Sequence, residues 1–143
     1  MTALRPEPVE GPRPEPVEGP PVPSLVRRLT QTAINAYAEA SGDHNSIHID
    51  EEYARSTPLE GTIAHGMLVL AFISEMMTAA FGRAWLESGA LDVRFRSPAR
   101  PGDTVTASAR PAGGEDGVLR YTVECVNDKG EVLISGGARV RPA

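Results

Sequence analysis

The sequence predicts an α+β domain, and three observations support this fold class. One long apolar segment lies in the middle of the chain and has the composition of a buried helix. From residue 90 onward, apolar residues alternate with polar ones, as in strands with one buried face. Clusters rich in Gly, Asn and Asp separate these alternating runs and predict hairpin turns. Because the strands follow one long apolar helix, we expect that helix to lie against the inner face of an antiparallel sheet.

The first 23 residues differ in composition from the rest of the chain. They contain eight of the thirteen prolines, and the octapeptide RPEPVEGP occurs at 5–12 and again at 13–20. Proline fixes φ and removes a backbone donor, so we expect an extended, disordered tail. The segment also lacks the apolar stretch of a secretory signal peptide. We therefore assign residues 1–23 to a proline-rich tail and residues 24–143 to one domain.

Helix signals define two short elements ahead of the apolar segment. Thr30 is expected to cap a first helix, which ends at Gly42. Asp50 is expected to cap a second helix over residues 51–56, because acidic residues occupy its first turn. His48 is then expected to lie in the loop just before this second helix.

The apolar segment at 67–86 is expected to form one central core helix. Met67, Met76 and Met77 are interpreted as packing residues of that helix. The uninterrupted apolar part is shorter than the ~20 residues that a bilayer crossing needs, so we expect no association with a membrane. Strands are predicted around 91–95, 105–109, 119–125 and 132–140, with turns at 113–117 and 127–130.

Charge and cysteine content limit the possible partners and compartment. The formal net charge of −5 argues against broad affinity for nucleic acid. The single cysteine, Cys125, cannot form an internal disulfide, which is typical of a reducing compartment, and we expect a cytoplasmic location. Cys125 is interpreted as a buried small hydrophobe and not as a nucleophile.

Arginine outnumbers lysine thirteen to one. Four arginines lie close together in the chain and could contact the phosphates of a ligand. The favoured interpretation is that they belong to solvated strand faces. These four residues are Arg83, Arg94, Arg96 and Arg100.

Two short strings contain all three histidines. They are SGDHNSIHID at 41–50 and GTIAHGML at 61–68. The first string places Asp43 five residues before His48, where Gly42 has just interrupted a helical pattern. A carboxylate and an imidazole are the two side chains most used in acid–base catalysis. Each also has a structural interpretation when taken alone, as a turn-former and as a loop histidine with a satisfied hydrogen bond.

A metal site is the first alternative for these residues. His44 and His48 are four residues apart beside Asp43 and Asp50, and on a helix they could form a partial site. Gly42 indicates a loop at this point, and the chain has no HExxH motif or cysteine pair. We therefore expect no metal.

The strings YAEASGDHNSIHID, GTIAHGML and VRFRSPARPGDTV together resemble the MaoC-like dehydratase family, which includes the (R)-specific enoyl-CoA hydratases. The resemblance runs from about Leu29 to the C terminus. It implies a single hot-dog domain, in which an antiparallel sheet wraps a long central helix, and a homodimer with a continuous sheet. It also implies reversible hydration of 2-enoyl-CoA thioesters to (R)-3-hydroxyacyl thioesters, with no cofactor beyond the thioester carrier.

The same resemblance assigns roles to Asp43 and His48, and the chemistry of helix ends and turns predicts roles for Gly66, Asn45 and His65. Asp43 and His48 would hold the reacting water, with Asp43 favoured as the base and His48 orienting the water and shuttling the proton. The N–H of Gly66, at the start of the central helix, would form the oxyanion hole. Asn45 and His65 would support the loop or the substrate, Asn45 by shaping the loop and His65 by bracing the start of the helix.

Two other functions remain open. Other hot-dog proteins are thioesterases with an acid on the central helix, where this chain has Glu75. A non-catalytic module that binds acyl thioesters is the second alternative, and only Ser46 favours it, because the hydratase pattern usually has proline there. The presence of both Asp43 and His48 favours the hydratase.

Overall fold

A computed structural model describes residues 18–142, and residues 1–17 and Ala143 lie outside the described residues. Most of the predicted disordered tail, residues 1–23, therefore lies outside the described residues. Residues 18–142 form five strands and five helices. In chain order these are β1 (Leu25–Arg28), α1 (Gln31–Ser41), α2 (Ser46–Ile49), α3 (Glu51–Arg55), α4 (Gly66–Phe81), α5 (Arg83–Ser88), β2 (Ala90–Phe95), β3 (Thr104–Glu115), β4 (Val118–Asn127) and β5 (Val132–Val140).

The strands form one antiparallel sheet in the order β1-β3-β4-β5-β2, and α4 packs against one face of it. Alternation of apolar and polar residues in β4 turns one set of its side chains toward α4, and these are almost fully buried. The helix contributes its own buried side chains to the same core. The predicted α+β architecture, with the central helix on the inner face of the sheet, is confirmed. The buried residues of α4 are Val69, Ile73, Met76 and Met77.

The apolar segment forms two helices and not the single helix that the sequence predicts. Helix α4 ends at Phe81, and Gly82 has φ 57° and ψ −133° before α5 begins. Residues with a side chain rarely adopt this backbone conformation, so the glycine determines where the helix breaks. The expectation for Met67 was also wrong, because this residue is 57% exposed, whereas Met76 and Met77 are buried as expected.

The helices before α4 follow the predicted caps with one difference. Thr30 accepts a hydrogen bond from the Ala33 N–H, and α1 ends at Gly42 in the left-handed region. The predicted loop position of His48 is wrong, because this residue lies in the short helix α2. The side-chain oxygen of Asn45 accepts from the Ile47 N–H and so caps a helical turn in a segment that propensity alone assigns to a loop.

The sheet differs from the prediction at one turn and at one edge. Strand β3 continues to Glu115 with a register shift between Pro111 and Gly114, so the predicted turn at 113–117 shortens to Asp116 and Gly117. Strand β1 was not predicted, because it has four residues and only Leu25 is partly buried. The predicted turn at 127–130 and the last strand at 132–140 are both confirmed.

The segment just before β1 contacts the domain. Val22 is 8% exposed and belongs to the core. The hydroxyl of Tyr121 donates to the Pro20 carbonyl at 2.7 Å. The boundary at residue 24 between tail and domain stays a prediction. None of the helices formed by residues 18–142 combines the length and the apolar character needed to cross a bilayer.

Candidate active site

Asp43 and His48 approach each other where α1 ends and α2 begins. Their closest side-chain atoms, Asp43 Oδ2 and His48 Nε2, are 3.9 Å apart. The His48 side chain is 10% exposed, and that of Asp43 is 54% exposed. The distance is too long for a direct hydrogen bond but suits a water molecule that bonds to both groups. A nearly buried imidazole therefore faces a carboxylate that solvent can reach.

The hydrogen bond of the other ring nitrogen determines the tautomer of His48. His48 Nδ1 lies 2.8 Å from the Ile63 carbonyl oxygen, which can only accept. The proton of the neutral ring must therefore be on Nδ1, which leaves Nε2 as a free acceptor on the side of Asp43. The geometry thus gives His48 an atom that can receive a proton from water or from Asp43.

Two side-chain turns orient the carboxylate of Asp43. Asp43 Oδ1 accepts from the Asn45 N–H at 3.2 Å, and Asn45 Oδ1 accepts from the Ile47 N–H at 3.2 Å. These are the local hydrogen bonds that Asp and Asn favour in turns. They leave Asp43 Oδ2 directed toward His48. The Asn45 side chain therefore caps the turn that follows Asp43, and its supporting role in the site stays a prediction.

His65 connects the two residues of the pair. Its Nε2 lies 2.9 Å from the Asp43 carbonyl oxygen, so Nε2–H donates to that backbone group. Its ring stacks on the His48 ring with centroids 3.8 Å apart and also contacts Tyr37 at 4.8 Å. His65 is 2% exposed, and its Nδ1 has no hydrogen-bond partner among the described residues. His65 therefore contacts both the backbone of Asp43 and the ring of His48, and Tyr37, the first residue of the string YAEASGDHNSIHID, packs against it.

The cluster of Asp43, His48 and His65 also has the composition of a metal site, since one ligand atom of each lies within 4.8 Å of the others. A nitrogen that binds a metal must be deprotonated. His65 Nε2 and His48 Nδ1 both carry protons for backbone carbonyls, which leaves one free nitrogen on each ring. His44, proposed as a ligand in the metal alternative, instead bonds to Glu39 Oε1 at 3.0 Å. Metal-binding histidines have this same arrangement, so the hydrogen bonding fits both proton transfer and a metal site.

A second layer of hydrogen bonds holds the backbone of His48. Gln31 Nε2 donates to the His48 carbonyl at 2.7 Å, and Thr62 Oγ1 lies 2.8 Å from Gln31 Oε1. Glu51 Oε2 accepts from the Thr62 N–H at 3.1 Å and from its hydroxyl at 2.9 Å. These bonds hold the pKa of Glu51 below its usual value. The sequence gives no indication of these three contacts, because nothing in the spacing of Gln31, Glu51 and Thr62 connects them to His48.

Gly66 is the first residue of α4 and follows His65 directly. Its N–H forms no hydrogen bond with any of residues 18–142. A Cβ at this position would lie 3.0 Å from Phe95 Cε1, so glycine permits the close approach of that ring. Beside Gly66 lies a cavity of about 290 Å³, which neither Asp43 nor His48 lines. Its wall consists of Ile63, Ala64, Gly66, Val69, Phe95, Arg96, Ser97, Pro98 and Ala99.

The residues that other functions would require lie elsewhere. Glu75 is nine positions beyond Gly66, roughly 13 Å along α4 by helix geometry, and it forms an ion pair with Arg27. The side chains of both partners are about half exposed. Burial raises the pKa of the Cys125 thiol to about 12, so it is not a nucleophile at neutral pH. Neither residue belongs to the cluster around Asp43.

Comparison with known proteins gives concordant matches. A model of the MaoC like domain family matches residues 13–130. The (R)-specific enoyl-CoA hydratase of Rhodospirillum rubrum is 36% identical over 123 residues, which cover 82% of this chain and 82% of that protein. The 3-hydroxyacyl-thioester dehydratase Z of Mycobacterium tuberculosis is 36% identical over 102 residues, which cover 66% of this chain and 68% of that protein.

Solved structures agree in fold. An unliganded R-hydratase of Pseudomonas aeruginosa superposes with a TM-score of 0.76 at 24% identity, covering 84% of this chain and 78% of that chain. An (R)-hydratase of A. caviae superposes with a TM-score of 0.74 at 24% identity, covering 85% and 93%. At this level of identity the two structures support the hot-dog fold of the chain.

Proposed function

This chain belongs to the MaoC-like domain family, and from that premise we propose that it catalyses the reversible hydration of 2-enoyl thioesters to (R)-3-hydroxyacyl thioesters. Relatives that are 36% identical have the names of a hydratase and a dehydratase, which run this reaction in opposite directions. The observation that best supports the proposal is the separation of 3.9 Å between Asp43 Oδ2 and His48 Nε2, the ring nitrogen that does not contact the Ile63 carbonyl. The enzyme is thus a hydro-lyase.

The reaction needs one proton removed and one proton delivered. Water adds to C3 while a base takes its proton, and C2 receives a proton, so the pair ends in its starting state. In our proposal Asp43 accepts the proton of water, and His48 orients the water through Nε2 and shuttles the proton to C2. Solvent can reach the half-exposed carboxylate of Asp43, which is the proposed base. The imidazole of His48, the proposed shuttle, is nearly buried.

The enolate oxygen of the thioester needs a donor, and we propose the Gly66 N–H. The first N–H groups of a helix have no partner within the helix, and the helix dipole adds partial positive charge there. Gly66 is the first of the 16 residues of α4, so its N–H is one of these unpaired groups. One such donor typically stabilises a transition state by about 3 kcal/mol. The scheme uses no metal and no cofactor other than the CoA or acyl carrier that holds the thioester.

The same proposal extends to assembly and location. Strand β2 is an edge strand, and it ends at Phe95, which is 57% exposed and lies against Gly66, the residue before the equally exposed Met67. We propose a homodimer in which the sheets join at β2 and cover these side chains. Light scattering coupled to size exclusion is expected to give twice the mass of the chain, and a monomeric mass would contradict this. The unpaired Cys125 supports a cytoplasmic location.

The assay that tests the function uses crotonyl-CoA. Hydration is expected to remove the absorbance of the conjugated thioester, and chiral analysis of the product is expected to give the (R)-3-hydroxy configuration. Release of free thiol would instead identify a thioesterase. The absence of both signals with a panel of enoyl chain lengths would support the binding module.

Two substitutions test the roles of the pair. Asp43→Asn keeps an oxygen for the Asn45 N–H, and His48→Asn keeps a donor where Nδ1 contacts the Ile63 carbonyl. Each is expected to lower kcat by roughly 10²- to 10⁴-fold without loss of the thermal unfolding transition.

The matched control is His44→Ala, since His44 is exposed and lies between the two residues in sequence without contacting either side chain. It is expected to keep full activity. Full activity in Asp43→Asn or His48→Asn would remove the substituted residue from the mechanism.

A further inference from the structure

The face of the sheet that points away from α4 contains a cluster of arginines, although the whole chain has a net charge of −5. Strand register places them together, because Arg120 lies directly opposite Arg139 and Arg110 lies opposite Thr122. Arg94 lies opposite Ser135, and Arg96 donates to the Ser135 hydroxyl at 3.0 Å. We call this surface the basic face and define it as Arg94, Arg96, Arg110, Arg120 and Arg139.

The arginines of the basic face differ from those on the helical side in their partners. Arg27, Arg55 and Arg83 each form an ion pair with a glutamate. Within residues 18–142, by contrast, no arginine of the basic face has a carboxylate oxygen within 4.0 Å of its nitrogens, and the two acids on the same face, Asp92 and Glu124, are equally unpaired. The positive charge of this face is therefore available to an outside partner.

Two arginines of the basic face lie directly opposite each other without an acidic partner, and their repulsion destabilises the sheet. Like charges directly opposite each other on neighbouring strands destabilise a sheet. Arg120 and Arg139 occupy such a position and line a broad depression of about 580 Å³, whose lining also includes Asp92 and Gly137. An anionic partner that enters the depression would contact both guanidinium groups and relieve their repulsion.

The dimensions of the basic face exceed those of one phosphate group. It spans four strands at a spacing of about 4.8 Å, and roughly 13 Å along β5 from Ser135 to Arg139. Acidic and small side chains lie between the arginines, and none of them is aromatic. A mixed face without stacking residues suits a protein surface better than a nucleic acid, and it lacks the large apolar side chains that a membrane surface binds. The intervening residues are Ala90, Asp92, Ser108, Thr122, Glu124, Ser135 and Gly137.

The basic face begins at the edge of the cavity beside Gly66. Arg96 both donates to Ser135 on this face and lines the cavity beside Gly66. We propose that the basic face docks an acidic protein that carries the enoyl thioester on a flexible arm, so that the arm enters the cavity from this side. The inference rests on the proposed function and names the carrier. Complementary charge between the basic face and an acidic carrier protein mainly raises the rate of association and fixes the orientation of the two proteins.

The test compares two double variants with the same change in charge. Arg120→Gln with Arg139→Gln alters the basic face at positions that do not line the cavity beside Gly66. Arg83→Gln with Arg141→Gln removes two exposed arginines beside α5 and serves as the matched control. Each is assayed with crotonyl-CoA and with a crotonyl-loaded acyl carrier protein. We expect the basic-face variant to raise KM for the carrier-protein substrate about tenfold, with kcat and the KM for crotonyl-CoA unchanged, and the control to change neither.

Salt gives an independent readout, because roughly 0.5 M salt shortens the Debye length to a few ångströms and is expected to abolish the difference between the variants. Equal KM values for the carrier-protein substrate in both double variants would overturn the proposal. An equal loss with crotonyl-CoA would assign the face to CoA phosphates and would also overturn it, as would selective binding of duplex DNA or anionic vesicles.

Failure of the proposed function itself has a different signature. In that case the wild-type protein hydrates neither substrate. Calorimetric binding of the unloaded acyl carrier protein then still tests the docking, since it needs no turnover. Binding that the basic-face variant loses and the control keeps would support the docking surface, and no binding by the wild-type protein would overturn it.

Discussion

Each histidine of the cluster holds its proton on the nitrogen that faces a backbone carbonyl. Nδ1 of His48 donates to Ile63, and Nε2 of His65 donates to Asp43. A neutral His65 then has only a lone pair on its buried Nδ1, which has no partner among the described residues. The bond from Nε2–H ties the His65 ring to the backbone of Asp43, so His65 is expected to act by holding Asp43 in position.

Substitution of His65 separates its hydrogen bond from its stacking contact. His65→Gln keeps a donor near the position of Nε2 but has no ring, whereas His65→Phe keeps a ring against His48 but cannot donate to the Asp43 carbonyl. If the hydrogen bond positions Asp43, His65→Gln is expected to retain about tenfold more kcat than His65→Phe, because without this bond the loop no longer holds the Asp43 carboxylate in the reactive position. The measurement is kcat and KM for crotonyl-CoA over a range of pH.

If His65 has only a structural role, the two variants give a different pattern. His65→Gln and His65→Phe would then both lose thermal stability without a change in the pH profile of kcat. A higher kcat in His65→Phe than in His65→Gln would show that the stacking contact with His48 matters more than the bond to Asp43.

The sequence could indicate the catalytic candidates but not their support. Asp43 and His48 lie five residues apart, so local pattern and resemblance were enough to select them. Gln31 and Thr62 are 31 residues apart and meet only because α1 and the segment before α4 pack together around His48. Such polar contacts between distant segments leave no periodic signal in the chain.

Among the helices, length separates what the sequence could predict from what it could not. Helix α1 has 11 residues with recognisable caps at Thr30 and Gly42, and both ends were predicted. Helix α2 has four residues, too few to be stable alone, and depends on the cap by Asn45 and on the bond from Gln31 to its backbone. Tertiary contacts therefore determine α2, and a loop was predicted in its place.

The hydrogen bonds of Glu51 connect α3 to the segment before α4 and give a pH-dependent prediction. The N–H and hydroxyl of Thr62 bond to the ionised carboxylate, and this lowers the pKa of Glu51 in the folded protein. A lowered folded pKa stabilises the fold above the unfolded pKa and loses that effect as pH falls through the folded value. Glu51→Gln is therefore expected to lower Tm at pH 7 by a few degrees, with a difference that disappears in acid.

The control for this prediction lies on the same helix. Glu52 has no side-chain hydrogen bond with residues 18–142, so Glu52→Gln is expected to leave Tm unchanged at both pH values. Thermal unfolding of the three proteins between pH 7 and pH 3 provides the measurement. A Tm difference for Glu51→Gln that stays constant across this range would contradict the role of its charge.

For the molecule as a whole, the arrangement of layers was predictable and the use of its outer surface was not. Alternation in β4 and the apolar content of α4 define two faces that must meet, whatever the length of the loops. Which arginines share a face depends on strand register, and in the β4–β5 pair that register shifts between Cys125 and Val126, where the sequence has neither glycine nor proline. The pairing of Arg120 with Arg139 therefore needed the sheet itself.

Chemical labelling of Cys125, the single cysteine of the chain, reports whether the core between α4 and the sheet opens. Cys125 is fully buried, its Sγ lies 3.7 Å from the Val69 carbonyl of α4, and burial raises its pKa to about 12. The thiolate is the reactive form, so at pH 8 the folded protein is expected to react with iodoacetamide only through unfolding. Mass spectrometry is expected to show labelling that accelerates with urea in parallel with the loss of helical signal.

A substrate that binds the folded state should slow this labelling as its concentration rises, because binding stabilises the folded form. Rapid labelling without denaturant would mean that α4 separates from the sheet in the native state, and the cavity beside Gly66 would then lack a fixed wall.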